Sequence, residues 1–379
     1  MNGTTSSAPG LYLDAAASAP VRREVLEAMW PHLTGHHANP SSRHEPGMTA
    51  ARALEQARAR VAQVLGARTA EIVFTSGGTE SDNAAVKGIA LAAPRGRHVL
   101  VSAVEHPAVL ESAAWLGRLG FEVEHLPVDA DGIVSAESLR SHLRDDTTLV
   151  SIQYASNEVG TVQDIPALAA LAAEHAVPFH TDAVQAAGSE DLHVGRLGVQ
   201  ALSLAGHKIG TPKGVGVLWI RRRTPFEPLI HGGAQQRDRR SGTENVAGAV
   251  GMAAALELAT AQEVDSLRGR RDSFIAAVES GVPGAQLTGH RSHRLAGHAS
   301  FTFAGRSGES ILLDLERQSI FCSSGSACAA GSTDPSPALT AMGYTAELAQ
   351  TAVRFTFGIP VTEAELDSAS EALRGIAER

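Results

Sequence analysis

The sequence predicts an α/β fold built around a largely parallel sheet. Short apolar runs of strand length alternate with alanine-rich stretches of helical length between residues 71 and 223. This alternation is typical of repeated β-α units, whose helices cover both faces of the sheet. The chain has 379 residues, 43% of them hydrophobic, which is enough for one large and one smaller domain.

Each predicted element follows from its local pattern. Strands are predicted at residues 71–75, 98–104, 149–155, 178–182, 201–204 and 214–220, with helices at 80–91, 107–119, 165–175, 244–261 and 264–279. After Gly281 and Pro283, residues 299–303 and 353–357 resemble strands and 309–318 a helix. We therefore predict a large domain over 15–260 and a smaller α+β domain formed by 1–14 and 261–379.

Composition excludes several classes of protein. A net charge of -9 and a pI near 6 disfavour direct nucleic-acid binding. No apolar run approaches the roughly 18 residues of a membrane span, and residues 1–10 are small and polar, so we expect a frayed tail and no signal peptide. The two cysteines, Cys322 and Cys328, exclude a disulfide-stapled fold and suit a cytoplasmic protein.

A lysine and an aspartate have the chemistry that pyridoxal phosphate enzymes need. Lys208 follows a predicted strand in Gly206-His207-Lys208, where its amine is expected to form a Schiff base and then act as a general base. Asp182 ends another predicted strand, where its carboxylate is expected to hold a pyridinium nitrogen. Either residue alone would more often be a surface lysine or a turn-forming aspartate.

A glycine-rich turn supplies the expected phosphate site. Gly77-Gly78-Thr79 separates a predicted strand from a helix, so backbone N–H groups and the Thr79 hydroxyl are expected to bind the phosphate. His207 and Thr243 are further candidate donors. The glycine signal alone is weak, since many α/β proteins contain it.

Five candidate residues come at or just after the ends of predicted strands: Thr79, His106, Asn157, Asp182 and Lys208. Ligands of such sheets bind at the carboxyl ends of the strands, so these residues are expected to share one site. His106 is expected to stack on the cofactor and shuttle protons. Gln185 and Asn157 could donate to the cofactor's phenolic oxygen, and Asn157 could instead bind a substrate carboxylate.

The two cysteines are expected to differ. Cys328 lies among small residues, from Ser323 to Ser332, which predicts an exposed loop suited to a moving nucleophile. Cys322 follows Ile320-Phe321 and is expected to be a small core residue. Their spacing matches no common zinc pattern, so no metal site is predicted.

An ordered series of segments resembles the cysteine desulfurases of the housekeeping and nitrogen-fixation type, which are class V aminotransferases of fold-type I. The segments span nearly the whole chain: residues 12–17, 39–44, 75–83, 105–106, 157–160, 180–185, 206–208, 231–233, 240–245, 323–328 and 353–355. Any one segment would be weak, whereas the ordered set is highly specific.

This resemblance implies a seven-stranded sheet in the large domain, pyridoxal 5'-phosphate as cofactor, and a homodimer in which Thr243 reaches the partner's phosphate. It also implies that Arg354 binds the carboxylate of L-cysteine. Cys328, on a mobile loop at about residues 321–333, would take the sulfur as a persulfide while L-alanine leaves, with His106 managing the thiol proton. The sulfur would then pass to an acceptor protein for iron–sulfur assembly, tRNA thiolation or DNA phosphorothioation.

The chain departs from the family pattern at a few positions. Ala205 stands where serine is common, which would remove one phosphate donor, and Gln236 stands where glutamate is frequent. Selenocysteine lyase, or a related aminotransferase or epimerase, is the alternative within the cofactor class. A sulfur-carrier scaffold without catalysis is the alternative outside it.

Overall fold

The computed structural model describes residues 10–92, 94–260, 264–324 and 334–378. Cys328, most of the predicted 321–333 loop and nearly all of the predicted N-terminal tail lie outside the described residues. Within the described part of the chain, no helix is long and apolar enough to cross a membrane.

The strands of the described chain are β1 (Leu11–Tyr12), β2 (Ile72–Thr75), β3 (His98–Ser102), β4 (Glu122–Leu126), β5 (Thr147–Ser151), β6 (Phe179–Asp182), β7 (Ala201–Ala205), β8 (Gly216–Ile220), β9 (Ala285–Leu287), β10 (His298–Phe303), β11 (Ile320–Phe321) and β12 (Val353–Thr356).

Its helices are α1 (Arg23–Thr34), α2 (Glu45–Leu65), α3 (Gly78–Ala92), α4 (Pro107–Gly117), α5 (Ala136–His142), α6 (Ile165–Glu174), α7 (Val194–Leu197), α8 (Val246–Thr260), α9 (Val264–Gly281), α10 (Gly308–Glu316), α11 (Pro337–Ala341), α12 (Ala346–Ala349) and α13 (Glu363–Ala377). The 3-10 turns Thr69–Glu71 and Gly206–Lys208 adjoin β2 and β7.

Seven strands form the central sheet, in the order β2-β8-β7-β6-β5-β3-β4. The predicted α/β class and mostly parallel sheet are confirmed. β8 is the exception, because it pairs antiparallel with both β2 and β7. The connection from β7 to β8 is short, and a parallel pair would need a longer crossover.

Both faces of the sheet are covered by helices. Successive side chains of β2 point to opposite faces of the sheet. Ile72 and Phe74 belong to the hydrophobic cluster on one face, and Val73 belongs to the cluster on the other. The first cluster includes buried residues of α2 and α8, and the second includes buried residues of α3 and α4. All five residues of β3, β5, β7 and β8 are buried, as expected for strands covered on both sides.

Several elements of this region are absent from the sequence prediction, among them the short helices α5 and α7. β4 is an edge strand whose polar and charged residues interrupt the apolar run that would indicate a strand. Helices α1 and α2 are amphipathic and pack against α8. The His44 imidazole caps the start of α2, and Gly66 ends it with a φ of 61°.

A separate hydrophobic cluster is built around the antiparallel sheet β12-β10-β9 and helices α9, α10 and α13. Phe274 of α9 packs edge-on against Phe301 and Phe355 of this sheet. Leu13 joins the same cluster, because β1 pairs in parallel with β11. Cys322 packs against this cluster as predicted, and its burial raises the pKa of its thiol. The predicted domain boundaries stay a prediction.

His180 of β6 is buried between two serines beneath the carboxyl edge of the central sheet. Its Nδ1 lies 2.8 Å from the Ser151 hydroxyl and its Nε2 lies 3.0 Å from the Ser203 hydroxyl. Burial lowers the pKa of His180 to about 3, so the folded protein holds a neutral imidazole.

We expect this histidine to contribute to acid unfolding. Below pH 6.5, the ordinary pKa of histidine, His180 of the unfolded chain binds a proton. In the folded chain the same imidazole stays neutral down to about pH 3. The free energy of unfolding therefore decreases as the pH falls from 6.5 towards 3. The slope should approach about 1.4 kcal/mol per pH unit for this one group. Denaturant unfolding of wild type and His180→Gln between pH 7 and pH 4 measures it, and equal slopes would contradict it.

Candidate active site

Asp182 lies at the carboxyl end of β6 and is buried. Its Oδ1 accepts a hydrogen bond of 2.8 Å from the backbone N–H of Val184, which fixes the carboxyl group. Burial raises the pKa of the Asp182 carboxyl, while His106 and Lys208 favour its ionised form. The carboxylate is therefore suited to a cationic partner.

Lys208 lies in the 3-10 turn after β7, the strand that pairs with β6. Its Nζ donates to the carbonyls of Ala16 and Ala17, the second at 2.9 Å. The Gln185 amide donates to the same Ala16 carbonyl at 3.1 Å. The N-terminal segment thus brings Lys208 and Gln185 to one point.

His106 caps the start of α4, just past β3. Its Nδ1 accepts a hydrogen bond of 3.1 Å from the Ala108 N–H, so a neutral ring carries its proton on Nε2. Burial lowers the pKa of His106, and Asp182 and Lys208 act on it in opposite directions. The ring is therefore neutral near pH 7 and lies within electrostatic range of both other predicted residues.

The predicted phosphate turn lies at the start of α3. A Cβ on Gly78 would lie 2.8 Å from Val184 Cγ2 and 3.4 Å from Ala205 Cβ, so only glycine fits without displacement. A Cβ on Gly77 would meet no atom within 4 Å among the described residues, so there is open space beside the turn. Thr79 is exposed at the same helix end. The helix start can therefore receive an anion.

His207 lies in the same turn as Lys208 and is half-buried. Its Nδ1 is 3.3 Å from the Ser18 hydroxyl. Burial, with Lys208 and Lys213 nearby, lowers the pKa of His207 to about 4. It can therefore donate to a ligand only through a neutral N–H near pH 7.

Thr243 is exposed on the segment that precedes α8. Gln236 anchors this segment, because its Oε1 accepts from Arg58 at 2.7 Å and from the Phe74 N–H at 2.9 Å. Its Nε2 donates to Glu244, a bond that a glutamate at position 236 could not make. Gln236, which stands where glutamate is frequent in the family, therefore stabilises this segment through hydrogen bonds of both its amide oxygen and its amide nitrogen.

Arg354 of β12 is buried and bound on two sides. Its Nη1 donates to the Asn157 backbone carbonyl at 2.8 Å, and its Nη2 pairs with Asp14 Oδ1 at 2.8 Å. The predicted substrate residues Asn157 and Arg354 are thus in direct contact, although through the Asn157 main chain. Asp14 reaches this point from the N-terminal segment that also contacts Lys208.

Two buried acids near Asp182 escaped the sequence prediction. Burial raises the pKa of both Asp82 and Glu105 well above their usual ranges, and the charge of Asp182 adds to each rise. Glu105 Oε1 accepts the Gln153 N–H at 2.6 Å, which ties the segment before His106 to the segment after β5. Burial thus favours the neutral forms of Asp82 and Glu105, whereas His106 and Lys208 favour the ionised form of Asp182.

This donor set fits pyridoxal phosphate. An open helix start can bind the phosphate, a buried carboxylate can hold the pyridinium nitrogen, and a lysine lies in the turn that follows the neighbouring strand. No metal-binding group of three or more His, Cys, Asp or Glu residues occurs in the described ranges. The fold and site define a pyridoxal phosphate-dependent enzyme.

The chain belongs to the class-V aminotransferase family, whose sequence pattern matches residues 11–368. Within that family its relatives are cysteine desulfurases. It is 46% identical over 373 residues to "Cysteine desulfurase IscS" of Dictyoglomus turgidum, covering 97% of this chain and 95% of the relative. The predicted family membership is confirmed.

Solved structures agree with the fold. A "NIFS-LIKE PROTEIN" superimposes with a TM-score of 0.91 at 34% identity, covering 97% of this chain and 99% of that one. "SspA in complex with cysteine" superimposes with a TM-score of 0.83 at 34% identity, covering 92% and 98%.

Gly78→Ala should weaken retention of the cofactor, because the added Cβ must displace Val184 beside the phosphate turn. Overpacking of this kind costs about 1–3 kcal/mol, so we expect cofactor dissociation to become roughly tenfold or more faster. Loss of cofactor absorbance during dialysis measures it. Gly269→Ala is the matched control, since a Cβ there meets no described atom within 4 Å. Equal retention by both variants would contradict the expectation.

Proposed function

We propose that this protein is a cysteine desulfurase that converts L-cysteine to L-alanine and passes the sulfur, as a persulfide on Cys328, to an acceptor protein. The mutual electrostatic contact of Asp182, Lys208 and His106 carries the proposal, with the buried guanidinium of Arg354 linked to Lys208 through the N-terminal segment. The names of the relatives add independent support.

Arg354 is the group that would bind the substrate carboxylate. A guanidinium offers paired donors that match a carboxylate, and this one is preorganised by Asp14 and the Asn157 carbonyl. Its buried Nε has no hydrogen-bond partner among the described residues. A carboxylate at this position would hold the substrate's Cα in a fixed place.

The cofactor would be held by the helix start at Gly78-Thr79, by Asp182, by Gln185 and His207, and covalently by Lys208. When bound, it supplies an electron sink that stabilises negative charge at the substrate's Cα. Lys208 Nζ, placed by the Ala16 and Ala17 carbonyls, would remove the proton from Cα and later return one. His106, neutral near pH 7, is able to take the proton of a thiol.

The sulfur step would use Cys328 as nucleophile. Its thiolate would attack the substrate sulfur, so that an S–S bond forms while the substrate C–S bond breaks. The electron pair of that bond stays with the carbon fragment, which takes up a proton and leaves as L-alanine. The balance is cysteine plus enzyme thiol giving alanine plus enzyme persulfide, with no external oxidant.

The anchoring of the cysteine segment supports this role. Ser323, five residues before Cys328 in the sequence, pairs with Arg354 through Arg354 N–H to Ser323 O at 2.7 Å and Ser323 N–H to Arg354 O at 3.2 Å. Ser323, from which the chain leads towards Cys328, is therefore paired with Arg354, the residue that would bind the substrate. Cys322, whose burial raises the pKa of its thiol, is a poor alternative nucleophile.

The protein would act in the cytoplasm as a homodimer. Thr243 is exposed in a single chain, which suits a residue that serves a second subunit. Leu26, Trp30 and Leu33 of α1 form an exposed apolar stripe, with 46%, 65% and 56% of their surfaces accessible. Such stripes usually become buried in assemblies.

Cys328→Ala should abolish sulfide release from L-cysteine while the purified protein keeps its yellow cofactor, because the nucleophile is lost and the cofactor site is intact. Lys208→Ala should lose turnover because the Cα proton has no base. Sulfide and alanine are assayed with a thiol present, and mass spectrometry tests wild type for a persulfide at Cys328.

The control for this prediction is Cys322→Ala, which should keep desulfurase turnover. Full-rate desulfuration by Cys328→Ala would overturn the persulfide mechanism. Wild-type protein that binds cysteine and releases neither alanine nor sulfide would overturn the function itself.

Light scattering should give the mass of two chains. If Thr243 serves the partner, Thr243→Ala and Lys208→Ala should complement each other, because a mixed dimer of the two contains one site with both residues intact. Doubly tagged heterodimers are purified after co-expression and assayed. Activity no higher than that of either parent variant would show that Thr243 acts within its own chain.

A further inference from the structure

The backbone carbonyl of Asn157 accepts two hydrogen bonds from side chains of the β10-β12 sheet. Arg354 Nη1 donates at 2.8 Å, and His298 Nε2 donates at 3.2 Å. The first donor, Arg354, is the residue proposed above to bind the substrate carboxylate. The second donor, His298, has no part in the proposed reaction.

His298 begins β10 and is 2% exposed. Because a carbonyl only accepts, Nε2 must carry the ring proton. Nδ1 is buried and has no hydrogen-bond partner among the described residues. Burial, reinforced by the charges of Arg294 and Arg354, lowers the pKa of His298 well below its usual value. The ring is thus a neutral donor of fixed tautomer beside a buried cation.

The segment that contains Asn157 is packed tightly against this ring. Gly160 has a φ of 78°, and a Cβ on it would lie 2.7 Å from His298 Cγ. Arg294 Nη1 holds the Val159 carbonyl at 2.7 Å from the same side. The ring of His298 and the guanidinium of Arg294 therefore both hold the main chain of residues 157–160.

The direction of the Arg354 guanidinium depends on this main chain. Asp14, which is partly exposed, holds Nη2, and the Asn157 carbonyl holds Nη1. A carbonyl free to rotate would leave only the Asp14 pair to orient the group. A misoriented guanidinium loses the paired geometry that a carboxylate requires.

We propose that His298 is a positioning residue for the substrate carboxylate: its Nε2–H fixes the Asn157 carbonyl, which in turn orients Arg354. The proposal rests on the function proposed above. It assigns His298 no contact with the substrate or the cofactor.

The test compares His298→Leu, which removes the donor, with His298→Gln, whose amide nitrogen can reach the place of Nε2. We expect His298→Leu to raise KM for L-cysteine about tenfold with kcat within about twofold, the size expected for losing one hydrogen bond that orients a charged group. His298→Gln should restore KM to within about twofold of wild type. Cofactor absorbance should be unchanged in both.

A double-mutant cycle separates positioning from general structure. In an Arg354→Lys background the paired donors of the guanidinium are already lost. His298→Leu should therefore change KM little further in that background. Additive effects on KM would overturn the proposal, as would a fall in kcat or cofactor retention with KM unchanged. If His298→Leu is insoluble, His298→Met removes the donor with a side chain of similar length.

A binding measurement makes the outcome independent of catalysis. Calorimetry with 3-mercaptopropionate, which keeps the thiol and carboxylate of cysteine without its amine, should show about tenfold weaker binding by His298→Leu and near wild-type binding by His298→Gln. Wild type that binds this probe without desulfurating cysteine would refute the function alone. Equal binding by wild type and His298→Leu would refute the role of His298 alone.

Discussion

Burial of charge at the carboxyl edge of the central sheet is the constraint on which the rest of the structure depends. Asp182 is buried there, Arg354 of β12 is buried against the Asn157 carbonyl, and an unpaired buried charge is costly. The surrounding residues compensate for these buried charges in two ways. Burial and the charge of Asp182 raise the pKa values of Asp82 and Glu105, which favours the neutral forms of these two neighbours. Arg354 is satisfied by one carboxylate and one backbone carbonyl, which leaves part of its guanidinium for a further acceptor.

The site depends on contacts between segments from opposite ends of the chain. The N-terminal segment supplies Asp14 to Arg354 and the Ala16 carbonyl to Lys208, and it is itself fixed by the bond from Ala16 N–H to the Thr356 hydroxyl at 2.8 Å. The hydrophobic cluster of the small sheet holds β12 in place. Lys208 and Arg354, the residues proposed for proton transfer and for substrate binding, are thereby joined through residues 14–16 of the N-terminal segment.

The sequence predicted much of the fold and candidate site. Buried parallel strands are nearly continuous apolar runs, which made β3, β5, β6 and β7 visible, and the residues after them were expected at one edge. The polar edge strand β4 and the antiparallel direction of β8 were not predicted, because neither leaves a mark in the hydrophobic pattern. Helices α1 and α2 were also missed, although their amphipathic spacing and the Gly66 cap of α2 were available.

The sequence by itself determined the family and the cofactor chemistry and supplied the candidate site residues, because those depend on local motifs such as Gly206-His207-Lys208. Only the tertiary structure decided which groups support them. The carbonyls of Ala16 and Asn157 carry no side-chain signal, and His298 resembles any polar loop histidine when read in sequence. Main-chain acceptors and the protonation of buried groups depend on what packs around them, and packing is settled between residues far apart in the chain.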